Sequence, residues 1–258
     1  GKTTTIRMLL GLISPTTGDG HVLGEDISAP EKYLPRVGAM IEGPAFYPAL
    51  TGKQNLNVLA KLGGFDTSII QGLLEKVGLG DRGDSKYKTY SLGMKQRLGI
   101  AAALLPEPKL LILDEPTNGL DPAGIQEVRA LLRQLANEGS TIFVSSHLLS
   151  ELEMICDHLV MLREGKVIFT GKTNELLAAQ QPVIVAKPEH KKDLAKLAEI
   201  AKSLGHTATV LDDAVHVKGQ QDFAAELNKA AFAAGITLSS LAPIQASLEE
   251  TFFEMTGE

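Results

Sequence analysis

Residues 110–115, Leu-Leu-Ile-Leu-Asp-Glu, constrain the fold of this chain more than any other stretch. Four apolar residues in a row, without alternation, suit a strand covered on both faces, and such strands belong to parallel sheets flanked by helices. The run stops abruptly at Asp114 and Glu115, so two carboxylates are delivered to the carboxyl edge of the sheet, the edge where α/β proteins bind ligands. Pro122, Ile125, Val128, Leu132 and Leu135 then mark a helix with proline in its first turn and Gly139 just past its end, and 141–145 resumes a strand. Residues 110–145 therefore read as a β-α-β unit with parallel strands.

Around this unit the pattern stays mixed. Ile6, Leu9, Leu10 and Ile13 have helical spacing, 14–20 is a turn, 21–27 an extended segment, and 36–41 a second one ending in Glu42-Gly43-Pro44. Residues 51–78 read as helical, and Leu98, Ala101, Ala102 and Leu105 mark another helix after Ser91. From 182 the order changes to strand, helix, two strands about the turn Asp212-Asp213, helix and strand, a β-α-β-β-α-β arrangement of ferredoxin-like type. The expected fold is α/β over 1–180, with a helical subdomain at about 50–105, followed by a small α+β ferredoxin-like domain over 181–258 that ends in a helix at 248–255.

Composition excludes more than it assigns. A net charge of −6 lacks the concentrated basic surface that gripping nucleic acid requires. The single cysteine, Cys156, precludes an internal disulfide framework; its neighbours Leu149, Leu152 and Ile155 make it a buried structural thiol. The longest apolar run, 98–105, stops at Pro106 and is too short to span a bilayer, and no signal peptide is expected.

The acidic pair has a chemistry of its own. One carboxylate at a sheet edge can hold Mg²⁺, usually through water, while its neighbour orients or deprotonates an attacking water. Alone, the pair is equally a solvated acidic turn. Gly1-Lys2-Thr3-Thr4-Thr5 running into a helix matches the end of a phosphate-binding loop, in which backbone N–H groups surround phosphates and the lysine reaches the β and γ groups.

Five motifs in order, GKTTT, SLGMKQR at 91–97, LLILDEP, GLDP at 119–122 and SSH at 145–147, resemble the nucleotide-binding subunit of an ABC transporter over about residues 1–180. Met40-Ile41-Glu42-Gly43-Pro44, Phe46-Tyr47-Pro48 and the SLGMKQR form of the signature resemble more narrowly the bacitracin and lantibiotic exporter ATPases. The resemblance implies a P-loop ATPase that uses ATP and Mg²⁺, works as a dimer with a second ATPase subunit, and sits at the cytoplasmic face of the membrane on an integral permease, with no nucleic acid partner. It implies roles residue by residue. Gly1, Lys2, Thr3 and Thr4 bind the nucleotide phosphates, and Thr3 and Asp114 serve the Mg²⁺. Glu115 is the general base and His147 the switch histidine at the γ-phosphate. Ser91 and Gly93 bind the γ-phosphate of ATP held by the opposite subunit, and Asp121 communicates across the dimer. Ser91 and Asp121 also suit plain helix N-caps. Phe46 and Tyr47 either line the docking groove for the permease or anchor their loop in the core.

Three departures from the family pattern matter. Leu92 and Met94 replace the usual signature glycine and glutamine while Ser91 and Gly93 remain. Glu42 replaces a glutamine, and because unit charges about 4 Å apart interact by roughly 4 kcal/mol at an effective dielectric near 20, the exchange is not neutral; Glu42 is expected in the Mg²⁺ shell, the alternative being a solvated strand-end acid. The sequence also begins within the phosphate loop, so an N-terminally truncated domain with uncertain ATP binding is expected. Two other readings stand beside transport: a soluble ABC-type ATPase acting on ribosomes or DNA, and an inactive fragment.

Overall fold

The structure, a computed structural model, describes residues 1–43, 45–178, 182–220, 222–244, 247–249 and 251–252. Helix α1 (Lys2–Leu9) turns Ile6 fully inward, as its spacing predicts. The stretch 21–27 is a hairpin rather than one extended segment. Leu23 and Gly24 adopt φ of 51° and 83°, which reverses the chain between β1 (His21–Val22) and β2 (Glu25–Asp26). Helix α2 (Pro30–Tyr33) leads into β3 (Val37–Met40). The helical stretch 51–78 divides in two: α3 (Gly52–Gly63) stops at Gly64, whose φ of 71° is left-handed, and α4 (Ile70–Lys76) follows. Then come α5 (Leu92–Ala103), β4 (Leu110–Asp114), α6 (Pro122–Asn137), β5 (Thr141–Ser145) and α7 (Leu149–Ile155).

Strands β3, β4 and β5 form a parallel sheet in that order, with Ala39, Ile112 and Phe143 level. Central β4 is buried on both faces, as its unbroken apolar run requires. Ile112 packs with Ile6, Tyr33 and Val37, whereas Leu111 and Leu113 join the core of Leu98, Val128 and Leu132. A methyl group at Gly38 would lie 1.9 Å from the Ala103 carbonyl oxygen, so glycine there lets the end of α5 lie directly on β3.

Two compact units result, Gly1–Ile155 with Leu162–Lys166 and Cys156–Met161 with Val167–Glu258. Strands β6 (His158–Arg163) and β7 (Lys166–Lys172) pair through a turn at Glu164 and Gly165, both at positive φ, and α8 (Thr173–Ala178) follows. The boundary expected at 180/181 falls on residues 179–181, outside the described ones, as does Pro44 of the Glu42-Gly43-Pro44 motif. The remainder comprises β8 (Val183–Pro188), α9 (Leu194–Ser203), β9 (Ala208–Leu211), β10 (Ala214–Lys218), α10 (Phe223–Ala233) and β11 (Leu238–Ile244). The strand order is β11-β8-β10-β9, antiparallel throughout, which is ferredoxin-like. Ile184, Ala186, Val215 and Val217 face Leu197, Ala201, Phe223 and Leu227, a core of its own. Of the expected terminal helix 248–255, residues 250 and 253–255 lie outside the described ones; Leu248, Glu249, Thr251 and Phe252 are helical.

Candidate functional site

The carboxyl ends of β4 and β5 set the geometry. Parallel register places Asp114 level with Ser145, and the Ser145 hydroxyl donates a hydrogen bond to the Asp114 carboxylate. Asp114 is buried, so this bond offsets part of the cost of taking a charge out of water. One residue on, Glu115 adopts φ of 50°, left-handed backbone that costs a non-glycine residue about 1–3 kcal/mol. Its N–H is held at 3.1 Å by both the carbonyl and the hydroxyl oxygen of Ser145, which fixes the kink.

The kink presents the Glu115 carboxylate to Lys2 and to His147. Lys2 Nζ, in the first turn of α1, lies 3.0 Å from Oε1. On the other oxygen, His147 Nδ1 lies at 2.8 Å and the His147 N–H donates at 3.2 Å. Burial pushes the Glu115 carboxyl up, but the hydrogen bonds and charges of His147 and Lys2 outweigh it and hold the group below the ordinary glutamate range. Residues far apart in sequence, Lys2, Asp114, Glu115 and His147, thus share one site. With Gly1 as the N-cap, α1 presents backbone N–H groups and the positive end of its dipole beside Lys2. Thr3 is half-buried in that first turn and Thr4 is exposed.

A second site forms at the starts of α5 and α6. The Ser91 hydroxyl caps α5 by accepting from the Met94 N–H at 3.2 Å, and Asp121 Oδ1 caps α6 by accepting from the Gly124 N–H at 3.1 Å. The two helix starts approach closely: a methyl at Gly93 would lie 3.9 Å from both Gly124 Cα and Leu120 Cδ2. Ser91 and Asp121 are exposed, and among the described residues no hydrogen bond or ion pair joins Ser91, Gly93 or Asp121 to Lys2, Glu115 or His147.

For Mg²⁺ the donor set is suitable in kind. Asp114 and the Thr3 hydroxyl are hard oxygen donors on β4 and α1, elements that pack together. Among the described residues no three His, Cys, Asp or Glu side chains gather into a cage. Glu42 has a partner of another kind. It sits at φ of 57°, is 63% exposed, and its carboxylate is ion-paired with Arg7 of α1.

Phe46 and Tyr47 differ in their surroundings. Buried Asn55 accepts from the Tyr47 N–H at 2.8 Å and donates to its carbonyl at 3.2 Å, which pins the loop. Phe46 turns inward, edge-on to Tyr87 at 5.2 Å, while Tyr47 is 61% exposed. Cys156 is partly buried, less enclosed than the buried thiol expected, and its thiol is pushed up to about 11 by burial and the Asp157 charge. Ser145 stands in the SSH motif without a role of its own there; its bracing of Asp114 follows from its place one strand over from the acidic pair, informative only once register was known.

The family profile described as ABC transporter matches residues 1–118. The chain is 40% identical, over all of its length and 85% of the relative's, to the bacitracin transport ATP-binding protein BcrA of Bacillus licheniformis. It is 47% identical over 65% of its length, and 72% of the relative's, to the lantibiotic transport ATP-binding protein SrtF of Streptococcus pyogenes. Among solved structures, cbiO1 from Clostridium perfringens, part of the ABC transporter complex cbiONQ, aligns with a TM-score of 0.61 at 26% identity, covering 80% of this chain and 81% of that one. An ATP-binding subunit of an ABC transporter aligns with a TM-score of 0.59 at 32% identity, covering 69% and 76%.

Proposed function

Because this chain belongs to the family of ABC transporter ATP-binding proteins and is an ATPase of that kind, we propose that two copies enclose two molecules of ATP and drive export through separate integral membrane subunits. The Glu115 carboxylate held between Lys2 and His147 is the observation that carries this reading. Held by the Lys2 ammonium and the His147 imidazole and backbone N–H, Glu115 is a weak base. A bound γ-phosphate is the natural competitor for both partners, because it offers them more negative charge than one carboxylate does. Once Lys2 and His147 turn to the phosphate, Glu115 loses what lowers its pKa and gains an anionic neighbour, so it becomes a better acceptor of a proton from water.

In this reading Gly1, Lys2, Thr3 and Thr4 hold the nucleotide phosphates, and Asp114 and Thr3 hold Mg²⁺, which when bound neutralises charge on the phosphate oxygens. His147 steadies the γ-phosphate. The exposed starts of α5 and α6, with Ser91, Gly93 and Asp121, face the site of the second copy. Tyr47 belongs to the surface that meets the membrane subunit. In this reading the chain works from the cytoplasmic face and the translocation path is another polypeptide's; among the described residues no helix is long and apolar enough to cross a membrane. The relatives' names, bacitracin transport and lantibiotic transport, support a peptide antibiotic as substrate, with a lipid-linked compound as the alternative, and the acidic net charge speaks against a nucleic acid partner.

Glu115→Gln tests the central assignment. It keeps ATP binding, stabilises the ATP-bound dimer and lowers turnover by about two to four orders of magnitude. Unchanged turnover removes Glu115 as the base, and ATP-dependent association with ribosomes removes the export reading.

A further inference from the structure

A buried hydrogen bond behind the site has no part in the steps above. The Thr117 hydroxyl donates to Glu151 Oε2 at 2.5 Å, and both residues are buried, at 4% and 6% exposure. Glu151 Oε1 is buried as well and has no hydrogen-bond partner among the described residues. A carboxylate sequestered in this way is poor material for stability, since a packed apolar pair of similar volume would serve at least as well. Its placement suggests a different role. Thr117 lies two residues beyond Glu115, in a turn closed by the Asn118 N–H on the Glu115 carbonyl at 3.1 Å. Glu151 lies four residues beyond His147, at the start of α7, where its N–H reaches the Leu148 carbonyl at 3.2 Å. The bond therefore ties the loop that carries Glu115 to the segment that carries His147.

The tie matters because the visible contact between those two is weakly held. Glu115 and His147 side chains are 22% and 54% exposed, and solvent-exposed ion pairs contribute little to fixing geometry. The buried bond runs alongside that contact and is sheltered from water. We propose that Glu151 is a positioning residue for ATP hydrolysis: through Thr117 it sets the separation of Glu115 and His147, so that both meet the phosphate and the attacking water in register. The inference rests on the assignment of Glu115 as base.

Thr117→Val keeps the side-chain volume and removes the donor, and Thr117→Ser restores it. The proposal expects kcat to fall about ten- to a hundred-fold in Thr117→Val with ATP affinity unchanged, and Thr117→Ser to recover it. The double variant Thr117→Val/Glu151→Leu guards against misfolding, because it replaces the pair by apolar groups; it should melt no lower than wild type and still turn over slowly. Wild-type kcat in the double variant, or a loss of ATP affinity equal to the loss of kcat, overturns the proposal. Glu115→Gln measured alongside separates the two failures: if Glu115→Gln is slow while the Thr117 variants are not, only the tie falls, and if Glu115→Gln turns over normally the base assignment falls with it.

Discussion

At the scale of single residues, the site is organised by charges that satisfy one another until a nucleotide offers them something stronger. Glu115 has a depressed pKa in the folded protein, so its contribution to stability is present above the ordinary glutamate pKa and is lost as pH falls through the lower folded value. Lys2→Met removes one of the two groups that depress it. The expected result is a Glu115 carboxyl titration shifted upward in the nucleotide-free protein and a shallower loss of melting temperature with acid; an unchanged titration would show that Lys2 does not reach Glu115 in solution. Glu42 makes the contrasting case. Its carboxylate is ion-paired with Arg7 and well exposed, and exposed pairs are worth about 0–1 kcal/mol. Glu42→Gln should therefore leave stability almost unaltered, and ATPase activity titrated with Mg²⁺ decides the rest. A curve superimposable on wild type confines Glu42 to the Arg7 pair, whereas a requirement for more Mg²⁺ returns it to the metal shell.

At the scale of elements, helix starts carry much of the meaning. Three N-caps, Thr51, Ser91 and Asp121, each accept from a backbone N–H three residues on, and the Thr51 cap is a full capping box in which Gln54 Oε1 takes the Thr51 N–H at 2.9 Å. Ser91 and Asp121 are thus both plain caps and members of the candidate interface, with no conflict between the two roles. Thr51 is a cap alone, so it provides a clean comparison. Thr51→Ala should cost about 1 kcal/mol of stability, read as a lower melting temperature with unchanged kcat. A large loss of activity at unchanged stability would show that the start of α3 takes part in function through the adjoining Tyr47 loop.

At the scale of the whole molecule, the two units differ in what holds them together. The second has its own core, running from Ile184 to Ile236 across one sheet face and two helices. A fragment of residues 182–258 should fold cooperatively by circular dichroism and calorimetry, with the marginal stability expected of so short a chain; a fragment without a thermal transition would show that the core depends on the hairpin and α8 before it. Much was legible beforehand. The unbroken run 110–113 announced a strand buried on both faces, the alternation of elements after 182 announced the ferredoxin-like order, and five short motifs announced the family. Less legible were the features set by backbone sign and register. Leu23 at positive φ folds an apparently extended stretch into a hairpin, and Gly64 splits one helical pattern into two helices. The sequence by itself determined which residue types stand at the sheet edge and which helices start with caps, because apolar period and capping chemistry are local. Only the tertiary structure decided that Lys2, Glu115 and His147 meet, that Ser145 braces Asp114, and that Glu42 pairs with Arg7, because each contact depends on how parallel strands and a helix lie across one another, and no local pattern encodes that.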